Sequence, residues 1–270
     1  MKNAFLRANA AMYWGVAGAV LGLLLALLAF APASWLARGL ASASDGRLLI
    51  TETRGSVWNG SGVFVLTGGA SSRDAAVLPG RLRWTMGMQG LGLLLRASQD
   101  CCINGELQLR IKPGMSRLEI AIENRADWLV RWPAGVLAGL GTPWNTLQLG
   151  GSLRLQTHDF RLERTAGQWR QAGQLDLDLV NLTSRVSTQA PLGTYRLSVA
   201  ADPAHAGAGT LSLVTMEGAL QLSGQGSFGG AGGTHFNGEA SSAPGREAAL
   251  DNLLNIIGRR QGARSVISIG

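Results

Sequence analysis

Residues 174–179 read Gln-Leu-Asp-Leu-Asp-Leu, with a leucine at every second position and a polar side chain before each one. Successive side chains of an extended strand point to opposite sides, so this alternation predicts one apolar face and one polar face. Strands of this kind form antiparallel sheets that pack one face on a core and expose the other to water. The stretch therefore predicts antiparallel β structure.

The same period of two recurs over most of the chain, with glycine-rich turns between the runs. The repetition predicts a mainly β fold, in which residues 34–270 form an antiparallel, Gly-rich domain built as a curved sheet, an open barrel or a sandwich. The clearest runs are Leu107–Ile111, Leu118–Ile122, Leu147–Leu155, Tyr195–Val199, Leu211–Leu213 and Leu220–Leu222.

One or two short helices interrupt the predicted strands. Residues Trp132–Leu140 place Pro133 in a first helical turn, a position that helices tolerate. Residues Arg246–Gly258 place their leucines on one helical face and end at a glycine. A final strand is expected over Ser265–Ile269.

A long apolar segment precedes the β domain, and no charged residue occurs between Arg7 and Arg38. A helix of about 20 residues spans a hydrocarbon core of roughly 30 Å. The pattern predicts a transmembrane helix, a signal anchor, over residues 13–33. By the positive-inside rule, residues 1–12 form a cytoplasmic tail and residues 34–270 a periplasmic domain.

The alternative to an anchor is a cleaved signal peptide. Ala31-Pro-Ala33 and Ala41-Ser-Ala43 both resemble small-residue cleavage sites. The apolar run is longer than the roughly 7–15 residues of a signal peptide, which favours the uncleaved helix. Both interpretations predict export of the β domain, in a bacterium to the periplasm.

The charge balance disfavours nucleic-acid binding. The 270 residues carry 24 Lys and Arg against 17 Asp and Glu, a net charge of +7 that no single tract concentrates, so nucleic-acid binding is not expected. The only cysteines, Cys101 and Cys102, are adjacent. They are expected to be ordinary thiols, with a vicinal or an intermolecular disulfide as the alternatives.

No residue pattern points to catalysis, a cofactor or a metal. His158, His205 and His235 are scattered and lack metal-ligand spacing. Residues Gly224–Gly229 match a dinucleotide-binding fingerprint, but the glycines that follow cannot form the required helix, so a hairpin turn is expected. Asp176 and Asp178 are expected on the solvated polar face of their strand.

Five residues are candidates for contacts with partners. Gly18 and Gly22 form a G-x-x-x-G pattern, which allows two membrane helices, of the same or of different proteins, to approach closely. Trp58 and Asn59 lie in a predicted hairpin turn, and Trp84 lies on the following strand. A large ring in such a place either packs onto its own domain or meets a partner.

These segments resemble the family of type II secretion system protein N, also called general secretion pathway protein N. The resemblance extends over essentially the whole chain. It rests on the anchor leading into Leu36, on Gly55-Ser-Val-Trp-Asn-Gly60, on Leu78-Pro-Gly-Arg-Leu-Arg-Trp84, on Pro191-Leu-Gly-Thr-Tyr-Arg-Leu197 and on the closing helix, turn and strand from Leu250 to Gly270.

The resemblance implies an inner-membrane protein with a periplasmic domain. Such a protein is a non-catalytic, accessory component of the machine that exports folded proteins from the periplasm across the outer membrane. Its expected partners are the other single-span inner-membrane components of that machine and the lipid bilayer, with no cofactor.

Two alternatives come from other classes of function. A membrane-tethered periplasmic module that handles lipids would leave Leu107, Leu153, Leu177 and Leu222 open in a groove, whereas a structural component would seal them in one core. An enzyme is the third hypothesis, which the absence of a catalytic motif disfavours.

Overall fold

A computed structural model describes residues 2–202, 205, 207–229 and 233–270, with side chains described from Trp14 onwards. The chain begins with helix α1 (Lys2–Ala29) and continues into helix α2 (Ala33–Ala43). The side chains of Lys2 and Arg7, on which the predicted orientation of the tail depends, lie outside this description.

Within the described residues, 16 strands form one sheet in which all pairs of neighbouring strands are antiparallel. A 3₁₀ helix (Ala134–Leu140) and helix α3 (Trp144–Leu147) precede the ninth strand, and helix α4 (Glu247–Ile257) precedes the fifteenth. The strands are β1 (Leu48–Gly55), β2 (Asn59–Thr67), β3 (Ala75–Val77), β4 (Leu82–Gln89), β5 (Gly92–Ser98), β6 (Leu107–Pro113), β7 (Arg117–Ile122), β8 (Val130–Pro133), β9 (Leu149–Thr165), β10 (Gln168–Ser184), β11 (Gly193–Ala201), β12 (Gly209–Gly218), β13 (Leu220–Phe228), β14 (His235–Ser242), β15 (Arg259–Gln261) and β16 (Arg264–Ile269).

The sheet is a long meander in which most strands pair with their neighbours in sequence. Its order is β1-β2-β4-β5-β6-β7-β9-β10-β11-β12-β13-β14-β16-β15, with β3 beside β2 and β8 beside β9. The predicted mainly β, antiparallel fold is confirmed. Because β1 and β15 remain as edges of the single sheet, the described strands form an open sheet and not a closed barrel.

The predicted apolar segment, residues 13–33, lies mainly in α1 and reaches only the first residue of α2. Helix α1 ends at Ala29 and α2 begins at Ala33, because Pro32 has no backbone N–H to continue the ladder. Helix α1 thus ends four residues before residue 33, the predicted end of the segment. Among the residues whose side chains are described, no helix meets the length and apolarity needed to cross a bilayer.

The strand register gives the sheet an apolar face and a polar face. Leu177 of β10 lies opposite Leu155 of β9 and Leu197 of β11, which in turn lies opposite Leu213 of β12. Paired residues share a face, so leucines line up across four strands. This confirms the alternation that the sequence predicts.

The main core lies on the apolar face, where strands far apart in the sheet order contribute to one cluster. Leu153, Leu182, Tyr195 and Leu220 are buried there, and Leu250, Leu253 and Leu254 of α4 pack onto them. The predicted closing helix is confirmed. The predicted helix over Trp132–Leu140 is confirmed only as the 3₁₀ helix, since Trp132 and Pro133 belong to β8.

A second core forms beneath α2. The sequence pattern predicted neither this helix nor this core. Ala33, Leu36, Ala37 and Leu40 share one side of this helix and pack with Ile50, Phe64, Leu82 and Trp84 of the sheet. Their spacing of three and four residues is the helical pattern that would have revealed α2. Helix α1 ends only four residues before α2 begins. The apolar spacing of α2 therefore cannot be distinguished, in the sequence, from the continuous apolar run of α1.

Two segments that were predicted as turns lie within strands. Asn59 and Gly60 begin β2, and Gly224 lies inside β13. Both glycines face an aromatic ring on the next strand, Trp84 and Phe236 respectively, where an added Cβ would clash. These glycines therefore leave room for a ring on the apolar face, and the turn before β2 consists of residues 56–58.

Replacing Gly60 by alanine is expected to destabilise the domain by about 1–3 kcal/mol, because the new Cβ overpacks a fixed site. That atom would lie 2.6 Å from Trp84 Cζ2 and 2.7 Å from the Ser56 carbonyl oxygen. Gly87→Ala on β4 is the matched control, since a Cβ there meets nothing within 4 Å. Denaturant unfolding of both variants measures the difference, and equal losses would contradict the packing described.

Tyr195 is the largest side chain in the main core that is almost completely buried. It is 1% exposed, and its hydroxyl donates a hydrogen bond of 2.9 Å to the Leu220 carbonyl oxygen. Burial raises the pKa of the Tyr195 phenol above its ordinary value, because the phenolate would lose its hydration.

Because the folded-state pKa is raised, the neutral Tyr195 phenol contributes its full stabilisation below the unfolded-state pKa of about 10. That contribution is lost as the pH rises above this unfolded-state pKa. The wild type is therefore expected to lose about 1 kcal/mol more than Tyr195→Phe between about pH 9 and about pH 11. Denaturant unfolding of the two proteins at both pH values measures this. A parallel decline of the two proteins would show that Tyr195 ionises without unfolding.

Candidate functional surfaces

Helix α1 is joined to the sheet at its last turn. Pro32 cannot donate to the Leu28 carbonyl oxygen, and the indole Nε1–H of Trp58 donates to that oxygen instead, over 2.8 Å. The Val57 N–H donates to the Ala31 carbonyl oxygen over 2.9 Å, and Pro32 forms a bridge with Ser56. The turn between β1 and β2 thus caps the helix.

Helix α1 itself presents apolar side chains on every side. From Trp14 to Phe30 the large apolar residues are about half exposed or more, with Trp14 at 79% and Phe30 at 82%. The predicted contact residues Gly18 and Gly22 lie in this helix, and a Cβ on either would meet nothing within 4 Å. Nothing in the described chain covers the helix here.

The other predicted contact residues have different surroundings. Trp58 is half-buried in the cap described above, and Asn59 is exposed. Trp84 is only 3% exposed and belongs to the core beneath α2, where its Nε1–H donates to the Val57 carbonyl oxygen over 3.1 Å. Trp58, Asn59 and Trp84 therefore lie together around one turn. Whether any of the five residues contacts a partner stays a prediction.

The aspartates that were expected on a solvated face are buried. Asp178 is 7% exposed and accepts two hydrogen bonds, of 2.6 and 2.9 Å, from the Arg196 guanidinium of the neighbouring strand. This hydrogen-bonded pairing raises the pKa of Arg196, and burial opposes the rise. The prediction was wrong because long polar side chains on adjacent strands cover the carboxylate.

Asp176 forms a second buried network beside this pair. It is 3% exposed and accepts hydrogen bonds from Ser198 Oγ at 2.6 Å and from Gln174 Nε2 at 2.7 Å. His158 Nε2 lies 3.4 Å from its other oxygen. The serine donates to the carboxylate rather than to the histidine, so this arrangement does not form an activated nucleophile.

The described residues contain no group of three or more His, Cys, Asp or Glu side chains placed to hold a metal ion.

Cys101 and Cys102 form a vicinal disulfide, with Cα atoms 3.7 Å apart. The expectation of ordinary thiols was therefore wrong. The two residues lie in a turn after β5 and not in a strand, so their side chains need not point to opposite faces.

The apolar face is only partly covered over β5, β6, β7 and the adjoining part of β9. Leu93, Ile111, Ile120 and Leu162 form one cross-strand row, are all half-buried and belong to neither core cluster. The four leucines that were expected to share one environment are accordingly divided. Leu153 is buried, Leu177 and Leu222 pack against the main core, and Leu107 is half-buried outside both clusters.

The fold and these surfaces define a mainly β protein whose sheet domain is joined to an exposed apolar helix. The model of the family "Type II secretion system (T2SS), protein N" matches residues 46–267. The chain belongs to this family, which confirms the resemblance and makes it a type II secretion component. No curated protein and no solved structure matches the chain.

Replacing Trp58 by phenylalanine is expected to loosen the cap on α1 while it keeps an aromatic ring at the turn. The lost indole donor leaves the Leu28 carbonyl oxygen without its strongest partner, at a cost of about 1 kcal/mol. Hydrogen exchange of the amides around residues 28–34 should become severalfold faster, as an opening free energy lower by about 1 kcal/mol requires.

Trp169→Phe is the control for this substitution, since Trp169 is 46% exposed near the turn between β9 and β10. Unchanged exchange in Trp58→Phe would mean that the Trp58 hydrogen bond does not hold the helix to the turn.

Proposed function

We propose that this protein is a single-pass component of the bacterial inner membrane, with α1 as its anchor and the β domain in the periplasm. The observation that carries the proposal is the exposure of large apolar side chains around α1 from Trp14 to Phe30. Water penalises such a surface on a lone helix, whereas lipid or another apolar helix accepts it. The uncharged run between Arg7 and Arg38 supports the same proposal.

The proposed role is structural and non-catalytic, in protein export across the outer membrane. Membership of the protein N family supports association with other secretion components. The proposed contacts are the small-residue face of Gly18 and Gly22 within the bilayer and the turn with Trp58 and Asn59 just outside it. The first of these surfaces also suits self-association.

A lipid-handling module is the second candidate, favoured by one observation. The half-buried row over β5, β6, β7 and β9 leaves apolar side chains in contact with solvent. A face of this kind can shelter acyl chains, which a completely sealed core cannot.

Photocrosslinking in living cells tests both candidates with one set of proteins. A photoreactive residue replaces Gly22 in α1, Asn59 at the start of β2, or Ile120 on the partly covered apolar face. The structural role predicts adducts with inner-membrane secretion components from Gly22 and Asn59. A photoreactive residue in place of Lys112 is the control for Ile120. Lys112 is exposed on the polar face of the neighbouring strand β6.

The outcomes separate the two candidates. Lipid adducts from Ile120, without protein adducts from Gly22 or Asn59, would overturn the structural role in favour of lipid handling. Extraction of the full chain from membranes by alkaline carbonate would refute the anchor itself.

A further inference from the structure

We propose that the polar face of the sheet carries a binding site for the phosphate group of an anionic phospholipid, formed by Arg54, Arg83 and Arg96. The inference rests on the membrane anchor proposed above, because the anchor brings this face close to lipid headgroups. It adds a ligand and a set of residues that the sequence patterns did not single out.

The register of four strands brings the three arginines together. Arg54 of β1 lies opposite Ser61 of β2, Ser61 opposite Arg83 of β4, and Arg83 opposite Ser98 of β5. Arginine and serine thus alternate across the sheet, with the two arginines about 10 Å apart at their Cα atoms. Long guanidinium side chains can therefore converge over the serine between them.

Arg96 completes the group from the next row. It lies on β5, two residues before Ser98, and opposite Thr85 of β4. All three arginines line one open depression of about 450 Å³ on the polar face. The depression is large enough to admit a phosphate group.

The charges of this depression are incompletely neutralised. Arg54 makes no ion pair or side-chain hydrogen bond with any described residue, Arg83 pairs with Asp100, and Arg96 approaches Glu106 at 3.8 Å. Both acidic partners are solvent-accessible, so these pairs are weak and can open. Three guanidinium groups against two carboxylates, those of Asp100 and Glu106, leave an excess of one positive charge.

Hydroxyl donors complement the arginines. Ser61, Thr85 and Ser98 line the same depression, and their side chains make no hydrogen bond within the described part of the chain. Guanidinium groups with free hydroxyl groups are a donor set that phosphate oxygens accept, and arginine can bind them with two parallel hydrogen bonds.

The position of the depression points to lipid as the source of the phosphate. Gly55, Asn59 and Gly60 line it, and the turn that joins them caps the last turn of α1. If α1 lies in the bilayer, this end of the sheet lies at the level of the headgroups. A basic side chain near a membrane surface strengthens binding to anionic lipid about fivefold.

Native mass spectrometry of the full chain tests the proposal. The protein is placed in nanodiscs that contain equal amounts of phosphatidylcholine and phosphatidylglycerol, and the lipids that it retains on release are identified. The wild type is expected to retain phosphatidylglycerol preferentially. Each of Arg54→Gln, Arg83→Gln and Arg96→Gln should reduce that preference about fivefold.

Arg54→Gln is the decisive single variant, because Arg54 has no ion pair whose loss could unfold the domain. The matched control replaces Arg161, Arg170 and Arg185 by glutamine, which removes three exposed arginines that make no ion pair with described residues. The control should retain the wild-type preference. Thermal unfolding of each variant checks that its fold is intact.

The outcomes distinguish this inference from the proposed function. Incorporation of the wild type without lipid preference, or equal effects of the site and control variants, would overturn the phosphate site alone. Failure of the wild type to enter nanodiscs would refute the anchor and, with it, this inference. Displacement of phosphatidylglycerol by dilute inorganic phosphate would show that a free anion is the ligand and would overturn the assignment to lipid.

Discussion

The backbone ladder of one continuous antiparallel sheet is the constraint on which the rest of the structure depends. An open sheet with one apolar face must cover that face, since exposed leucine and isoleucine side chains reduce its stability. Helix α2 covers the beginning of the sheet, and α4 with the 3₁₀ helix covers the main core. Apolar side chains of β5, β6 and β7 remain half-buried. The packing that stabilises the domain therefore also determines where apolar surface stays accessible.

Charged groups on the polar face are paired differently in two regions of the sheet. On β10, Asp176 and Asp178 are buried because each accepts at least one hydrogen bond from a side chain on the neighbouring strand β11. Near α1 the arginines outnumber the acidic groups, and Arg54 has no ionic partner among the described residues. A satisfied network stabilises the fold, whereas unsatisfied donors at an exposed site are available to a ligand.

Sequence periodicity predicted the strands and α4 because those signals are local. It missed α2, whose pattern directly follows the apolar run of α1, and it placed Asn59 and Gly60 in a turn because Asn-Gly is a frequent turn pair. The burial of Asp178 and the grouping of Arg54 with Arg83 depend on which strands pair and in which register. Neither the register nor the cover over a carboxylate can be read from one segment alone.

Pro32 has a mechanical consequence. A flexible linker between a helix and a domain lets the domain swivel, but here the hydrogen bonds to Leu28 and Ala31 and the bridge at Pro32 replace such a linker. These direct contacts couple the orientation of the last turn of α1 to that of β1 and β2. While these contacts hold, the direction in which the polar face points follows the orientation of the helix end.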